Sequence, residues 1–385
     1  MRMAHPFCRI VLLGVCTWAW SKAASESSTA CPGELNSEKS LLIRDLSVVD
    51  SSLAEPYGPL HFTSVVKRFA PNLASNVQMT IWVERWLSQF SQSDRSDRFF
   101  VARSPERILQ FWERDSSGLL DESRAPFRLL AVTVRTDLQS PEAPEGELRF
   151  VYAATDPWSS AAVEFLVIFE FAFEGQREVW ANAFKNLSCL PFGPDFNREL
   201  KQRVTSPGLR FLRIRTNDFM MGRDWELREF QLNALGALEL SPVAQTPKFV
   251  FSHSENHELV DWMLQNEAEI LQERAILPPS LTGFTAPVPH ESFSWLRGSE
   301  LNEGTRRAFS KMTCNGCHAA DTATVFTHIF PRGLGQRARI SGFLAEDLAE
   351  RARIMNAWSI SKPIQVHQLS KPDPRTALLR TGRVH

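Results

Sequence analysis

Cys314, Asn315, Gly316, Cys317 and His318 are the residues of this 385-residue chain whose spacing points most directly to chemistry. Two thiols three positions apart can face one side of a turn and add to the two vinyl groups on one edge of a porphyrin. A histidine that follows at once can reach the iron from below. The C-x-x-C-H pattern therefore predicts one covalent haem c, with Cys314 and Cys317 as thioether residues and His318 as proximal ligand. Gly316 leaves room for a tight turn beside the ring. Two other chemistries use the same atoms. Cys314 and Cys317 can close a disulfide, although no thioredoxin-like strand precedes them. A zinc-type site can combine them with His318 or His328, although no second C-x-x-C supplies a four-ligand set.

The sixth iron position has several candidates. Met355 follows His318 by 37 residues and sits on the apolar face of a predicted helix; its thioether would raise the potential relative to a second imidazole, while the same residue also suits a packed core. His328 and His367 are further candidate ligands. An open position would allow small-ligand binding or peroxide chemistry. Arg332, Arg337 and Arg339 follow the motif, and a guanidinium there, Arg332 first, would suit a haem propionate. Residues 301–385 carry 13 Lys or Arg against 6 Asp or Glu, which also suits docking of an acidic redox partner protein.

These groups need elements to hold them. "LNEGTRRAFSKMT" (301–313) has Leu301, Ala308, Phe309 and Met312 at helical spacing, so the thiols are expected at the end of a short helix. "SGFLAEDLAERARIMNAWS" (341–359) reads as a second helix. Between 125 and 245 the texture is that of strands: 126–138, 147–155, 164–173, 209–219 and 225–233 are rich in β-branched and aromatic residues, with an amphipathic helix at 175–190 among them. Within 215–230, Arg215, Asn217, Arg223, Trp225, Glu226 and Arg228 could rim a groove or form charge pairs on an outer sheet face. Residues 41–115 read as helical, the Trp82 and Trp86 stripe as core. No glycine-rich turn follows a strand, which excludes a doubly wound nucleotide fold. No G-x-S-x-G elbow is present. His253 and His257 stand four apart without an H-E-x-x-H pattern and read as surface histidines.

The expected class is α+β: a large mixed helical and antiparallel-sheet domain (41–276), a proline-rich linker (277–298), and a small, mostly helical module (299–385). Residues 1–23 read as a signal peptide, with Arg2 and Arg9 ahead of the apolar run at 10–20, and 24–40 as a flexible lead-in. The expected location is the periplasm or beyond it, with membrane association only if Cys16 is lipidated. Cys31 and Cys189 could pair in such a compartment. The balance of 43 basic against 44 acidic residues gives no reason to expect nucleic acid as a partner.

"TCNGCH" (313–318) resembles the haem-attachment segment of bacterial monohaem cytochromes c, which implies a cytochrome-c-like C-terminal module and the thioether and proximal roles already assigned. More broadly, "IRDLSVVD", "APFRLLAVTVRTDL", "RTNDFMMGRDWELREF" and "ISGFL" are similar to segments of a group of long exported bacterial proteins, myxobacterial ones included; this implies an envelope location and a shared architecture. The expected function is electron transfer by haem c in the bacterial envelope. The alternatives are a peroxidase- or oxygenase-like haem enzyme with an open sixth position, and a non-catalytic envelope binding protein in which C-x-x-C-H is structural.

Overall fold

The computed structural model describes residues 35–359 apart from 71, 74, 95–98, 137–139, 141 and 253–256. The expected signal peptide, Cys16, Cys31, His253 and His367 lie outside the described residues. The chain begins with α1 (Ser37–Ser40), β1 (Leu42–Ile43), α2 (Leu46–Val49), α3 (Phe62–Phe69), α4 (Asn76–Ser88) and α5 (Glu106–Leu109). The sheet region follows: β2 (Phe127–Arg135), β3 (Glu147–Thr155), β4 (Ala162–Phe173), α6 (Arg177–Leu187), α7 (Pro194–Val204), β5 (Leu209–Asp218), β6 (Trp225–Leu232) and β7 (Leu238–Ser241). The rest comprises α8 (His257–Gln265), α9 (Glu267–Leu271), β8 (Thr285–Val288), α10 (Glu303–Met312), α11 (Cys314–Cys317) and α12 (Gly342–Ser359). The fold is α+β, built on one eight-stranded sheet in order β1 to β7, every pairing antiparallel.

The outer edge of β6 is shared: β7 pairs with Glu229 to Leu232, and β8 with Trp225 to Arg228. β8 comes from the proline-rich stretch expected as a linker. Pro287 is compatible with a strand there because β8 bonds only β6, so its missing N–H interrupts no second ladder. Near the start, residues 37–40 of the expected lead-in are helical, capped by the Asn36 side chain and with Ser40 buried.

Side chains alternate across a strand, and in β4 the alternation separates two environments. Phe165, Val167, Phe169 and Phe171 face an aromatic layer; Leu166, Ile168 and Glu170 face the opposite side. On the aromatic side, α3 and α4 cover the sheet. Phe62 lies 4.1 Å from Phe127, 5.2 Å from Phe169 and 5.5 Å from Tyr152, ring centre to ring centre. Trp82 and Trp86 of α4 are buried, as their spacing predicts, whereas Ile81 on the same helix is exposed. α4 starts at a capping box between Ser75 and Gln78.

The C-terminal segment covers the other side. Ile329, Ala338, Leu344, Leu348 and Met355 join the hydrophobic cluster of the sheet, while Phe309, Met312, Cys314 and Ala319 join a second cluster with Trp225, Leu227 and the β8 residues Ala286 and Val288. α12 also reaches α6, where the Arg177 guanidinium sits 4.5 Å over the Trp358 ring. Among the described residues no helix is long and apolar enough to cross a membrane.

Truncating Phe62 to alanine removes a fully buried ring with five aromatic neighbours, and should lower the unfolding free energy by about 3–5 kcal/mol in denaturant titrations; a loss below about 1 kcal/mol would contradict this packing. Beside it, buried His61 has its pKa lowered to about 4, chiefly by burial and against the pull of Glu122. The unfolded chain takes up this proton first, so stability present above pH 6.5 should be lost as pH falls towards about 4, by at most about 3 kcal/mol. A His61→Gln variant should flatten that slope in acid-unfolding curves.

Candidate functional site

Thr313 sets the local turn: its hydroxyl accepts a hydrogen bond from the Gly316 amide at 3.1 Å and donates to the Ser310 carbonyl at 2.9 Å. The residues from Cys314 to Cys317 then form the single turn of α11. Gly316 is required because a Cβ there would clash with the Ser310 carbonyl and the Thr313 hydroxyl. Asn315 ties the turn down. Its carbonyl oxygen accepts from the Trp295 indole at 2.9 Å, and its amide group donates to Pro287 in β8 at 3.4 Å. The Cys314 amide donates to Thr246 at 3.0 Å. Neither thiol is in a disulfide, and both are buried.

The His318 ring stacks on Trp225 of β6 at 4.8 Å and 24°. Its Nδ1 lies 2.7 Å from the Phe326 carbonyl oxygen. A carbonyl can only accept, so Nδ1 carries the hydrogen and Nε2 carries the lone pair. Burial lowers the pKa of His318 to about 4, opposed by the Phe326 bond and reinforced by Arg215, so the ring is neutral at pH 7. A neutral imidazole with Nδ1–H anchored on a backbone carbonyl is the usual state of a metal-binding histidine. His328 is 4.4 Å away, centre to centre. Its Nε2 lies 3.3 Å from Cys317 Sγ and its Nδ1 3.0 Å from the Ser341 hydroxyl. Ser341 in turn accepts from the Leu344 amide in the first turn of α12.

Cys314, His318 and His328 line one side of a cavity between the C-terminal segment and the sheet, together with Phe343, Leu344 and Arg351. The sheet side combines an apolar strip, Val151, Leu166, Ile168 and Leu227, with the charged groups Arg135, Arg149, Glu170 and Arg215. The cavity measures about 80 Å³ and is partly open to solvent; it holds several waters.

The motif residues fit haem c by their chemistry: two thiols on one turn, then a neutral imidazole with its tautomer set. The cavity of about 80 Å³ is smaller than a porphyrin, so the disc would extend out of it. Two other expected participants are elsewhere. Met355 is fully buried in the cluster shared with the sheet and is not among the described residues lining the cavity. Arg332 binds both carboxylate oxygens of Asp50, at 2.6 and 3.0 Å, and the Leu129 carbonyl at 2.7 Å, outside the lining. Arg337 pairs with Glu38, and Arg339 lies over the Phe330 ring. His257 is exposed on α8. Among the described residues no group of three or more His, Cys, Asp or Glu is placed to share a metal ion. That geometry bears on a zinc-type site; a haem iron takes four ligands from its own ring and asks the chain for one or two.

Sequence reasoning singled out Arg215 and Asn217, which do line the cavity, but passed over Arg135, Arg149 and Glu170. Charged residues alternating along strands signal an exposed face by default, and here that face is covered. Within the predicted groove rim, Arg223 is exposed, and Glu226 and Arg228 belong to a separate buried cluster with Arg103 and Asp218.

Burial raises the Cys314 thiol above its ordinary range, against the pull of Arg215. In haem-free protein, Ellman's reagent should therefore react slowly with Cys314 and Cys317 in the native chain and readily after denaturation; rapid reaction of these two thiols in the native chain would contradict the buried geometry. No family model, curated protein or solved structure matches the chain.

Proposed function

We propose that this protein is an exported haem-c protein that transfers electrons in the bacterial envelope. The observation that carries the reading is the pairing of two buried thiols on one turn with a neutral imidazole whose Nδ1–H is fixed on the Phe326 carbonyl. Bound at this turn, haem c would supply a reversible one-electron Fe(III)/Fe(II) couple. Cys314 and Cys317 would anchor it through thioethers, and His318 would present Nε2 to the iron. Trp225 holds the imidazole plane, and the Val151, Ile168 and Leu227 strip offers an apolar surface to the ring. Such rigid, buried surroundings keep structural change on electron transfer small.

Cys189 is disulfide-bonded, and a structural disulfide suits an oxidising compartment. A haem enzyme with an open sixth position is the second reading. It is favoured by the position of Met355 in the core rather than on the cavity wall.

Expression with an export and haem-attachment system tests the proposal. The mature protein should stain for haem on a denaturing gel, and Cys314→Ser with Cys317→Ser should abolish the stain while the chain still accumulates. A wild-type protein that folds, is exported and remains unstained overturns it.

A further inference from the structure

The sheet wall of the cavity has a chemistry that the C-x-x-C-H motif does not explain. Four guanidinium groups line the cavity, Arg135, Arg149 and Arg215 from the sheet and Arg351 from α12, each 1 to 7% exposed, against one lining carboxylate, Glu170. Glu147, Glu229 and Asp347 back these arginines from outside the lining. Arg149 uses Nε and Nη2 on Glu147, and Arg351 uses Nε and Nη2 on Asp347. Both are braced by a carboxylate while part of a five-donor fork adjoins the cavity.

The same wall holds a buried acceptor without a donor. Asn217 Oδ1 makes no hydrogen bond, and Asn217 is 3% exposed; the fully buried Glu170 carboxylate beside it is ion-paired with Arg149, Arg213 and Arg215 at 3.3 to 3.4 Å. Leaving such an acceptor unmet costs about 1–3 kcal/mol, so its placement beside an open space indicates what belongs there: an anion for the arginines that also carries a hydrogen-bond donor for Asn217.

We infer that this cavity binds a small carboxylate bearing a hydroxyl group, its carboxylate on the arginine array and its hydroxyl towards Asn217. The cavity of about 80 Å³ has room for several water-sized groups, enough for a small acid. The site stands whether or not haem is attached to the neighbouring thiols.

Calorimetric titration of the full-length mature chain with glycolate and with acetate tests this, using wild-type protein and the haem-free Cys314→Ser/Cys317→Ser variant. Glycolate should bind the haem-free variant about tenfold more tightly than acetate. Added to that background, Arg351→Gln should weaken both acids. Asn217→Leu, which leaves no charge unpaired, should erase the preference for glycolate while acetate still binds. Failure of both acids to bind the folded haem-free variant overturns the site, and equal binding of the two acids overturns the hydroxyl contact. If wild-type protein carries haem and binds neither acid while the haem-free variant binds both, the arginines belong to the cofactor's own carboxylates, and a free acid is overturned. Wild-type protein lacking haem would overturn the electron-transfer reading and leave this titration to be judged by itself.

Discussion

The structure depends on burying a charged sheet face. Arg149, Arg213 and Arg215 alternate with Glu147, Glu170 and Glu229 across β3 to β6, and salt bridges of 2.6 to 3.4 Å connect them. Taking such charges out of water is unfavourable unless each keeps a partner. The ladder meets that condition across strands. Burial pushes the Glu229 carboxyl up, but Arg213 and Arg215 outweigh it and hold the pKa at about 2. A polar wall of this kind can be covered only by a segment that also offers polar groups, and the stretch from α10 to α12 does so with His318, His328, Asp347 and Arg351. The ionic face therefore selects what covers it, and the cavity is the space left between them.

The opposite face follows the more familiar rule. Phe62, Trp86, Phe165 and Phe169 pack as one aromatic layer, so the sheet is held on one side by apolar burial and on the other by paired charge. The His318 ring, stacked on Trp225 at the boundary between sheet and cover, is rigid for both reasons. A redox or ligand-binding group placed there is oriented by elements far apart in sequence, β6 and the turn of α11.

Much of this was legible in the sequence. The five long strands are read from runs of β-branched and aromatic residues, and α6, α10 and α12 from helical periodicity, because their local preference and final environment agree. β1, of two residues, and β7 and β8, of four each, are too short to carry a period. β8 is further disguised by Pro287, which is tolerated only because of its edge position. The motif was visible as chemistry, since five adjacent residues suffice to state it, and Gly316 and the Trp225 stack explain how it is held. The arginine wall was not visible as a site. Arg135, Arg149 and Arg215 sit on three different strands, and only the sheet register places them around one space. Arg332 and Met355 had the right side chains for a haem pocket, but an ion pair to Asp50 and a place in the sheet-side core hold them elsewhere.

The central claim is that Cys314 and Cys317 carry a porphyrin through thioether bonds. It is tested most directly by tryptic digestion of exported protein and mass measurement of the fragment spanning residues 312–332. The account predicts that this fragment bears the added mass of one haem after full denaturation and reduction. The bare peptide mass, recovered from soluble protein made where haem attachment operates, would contradict it.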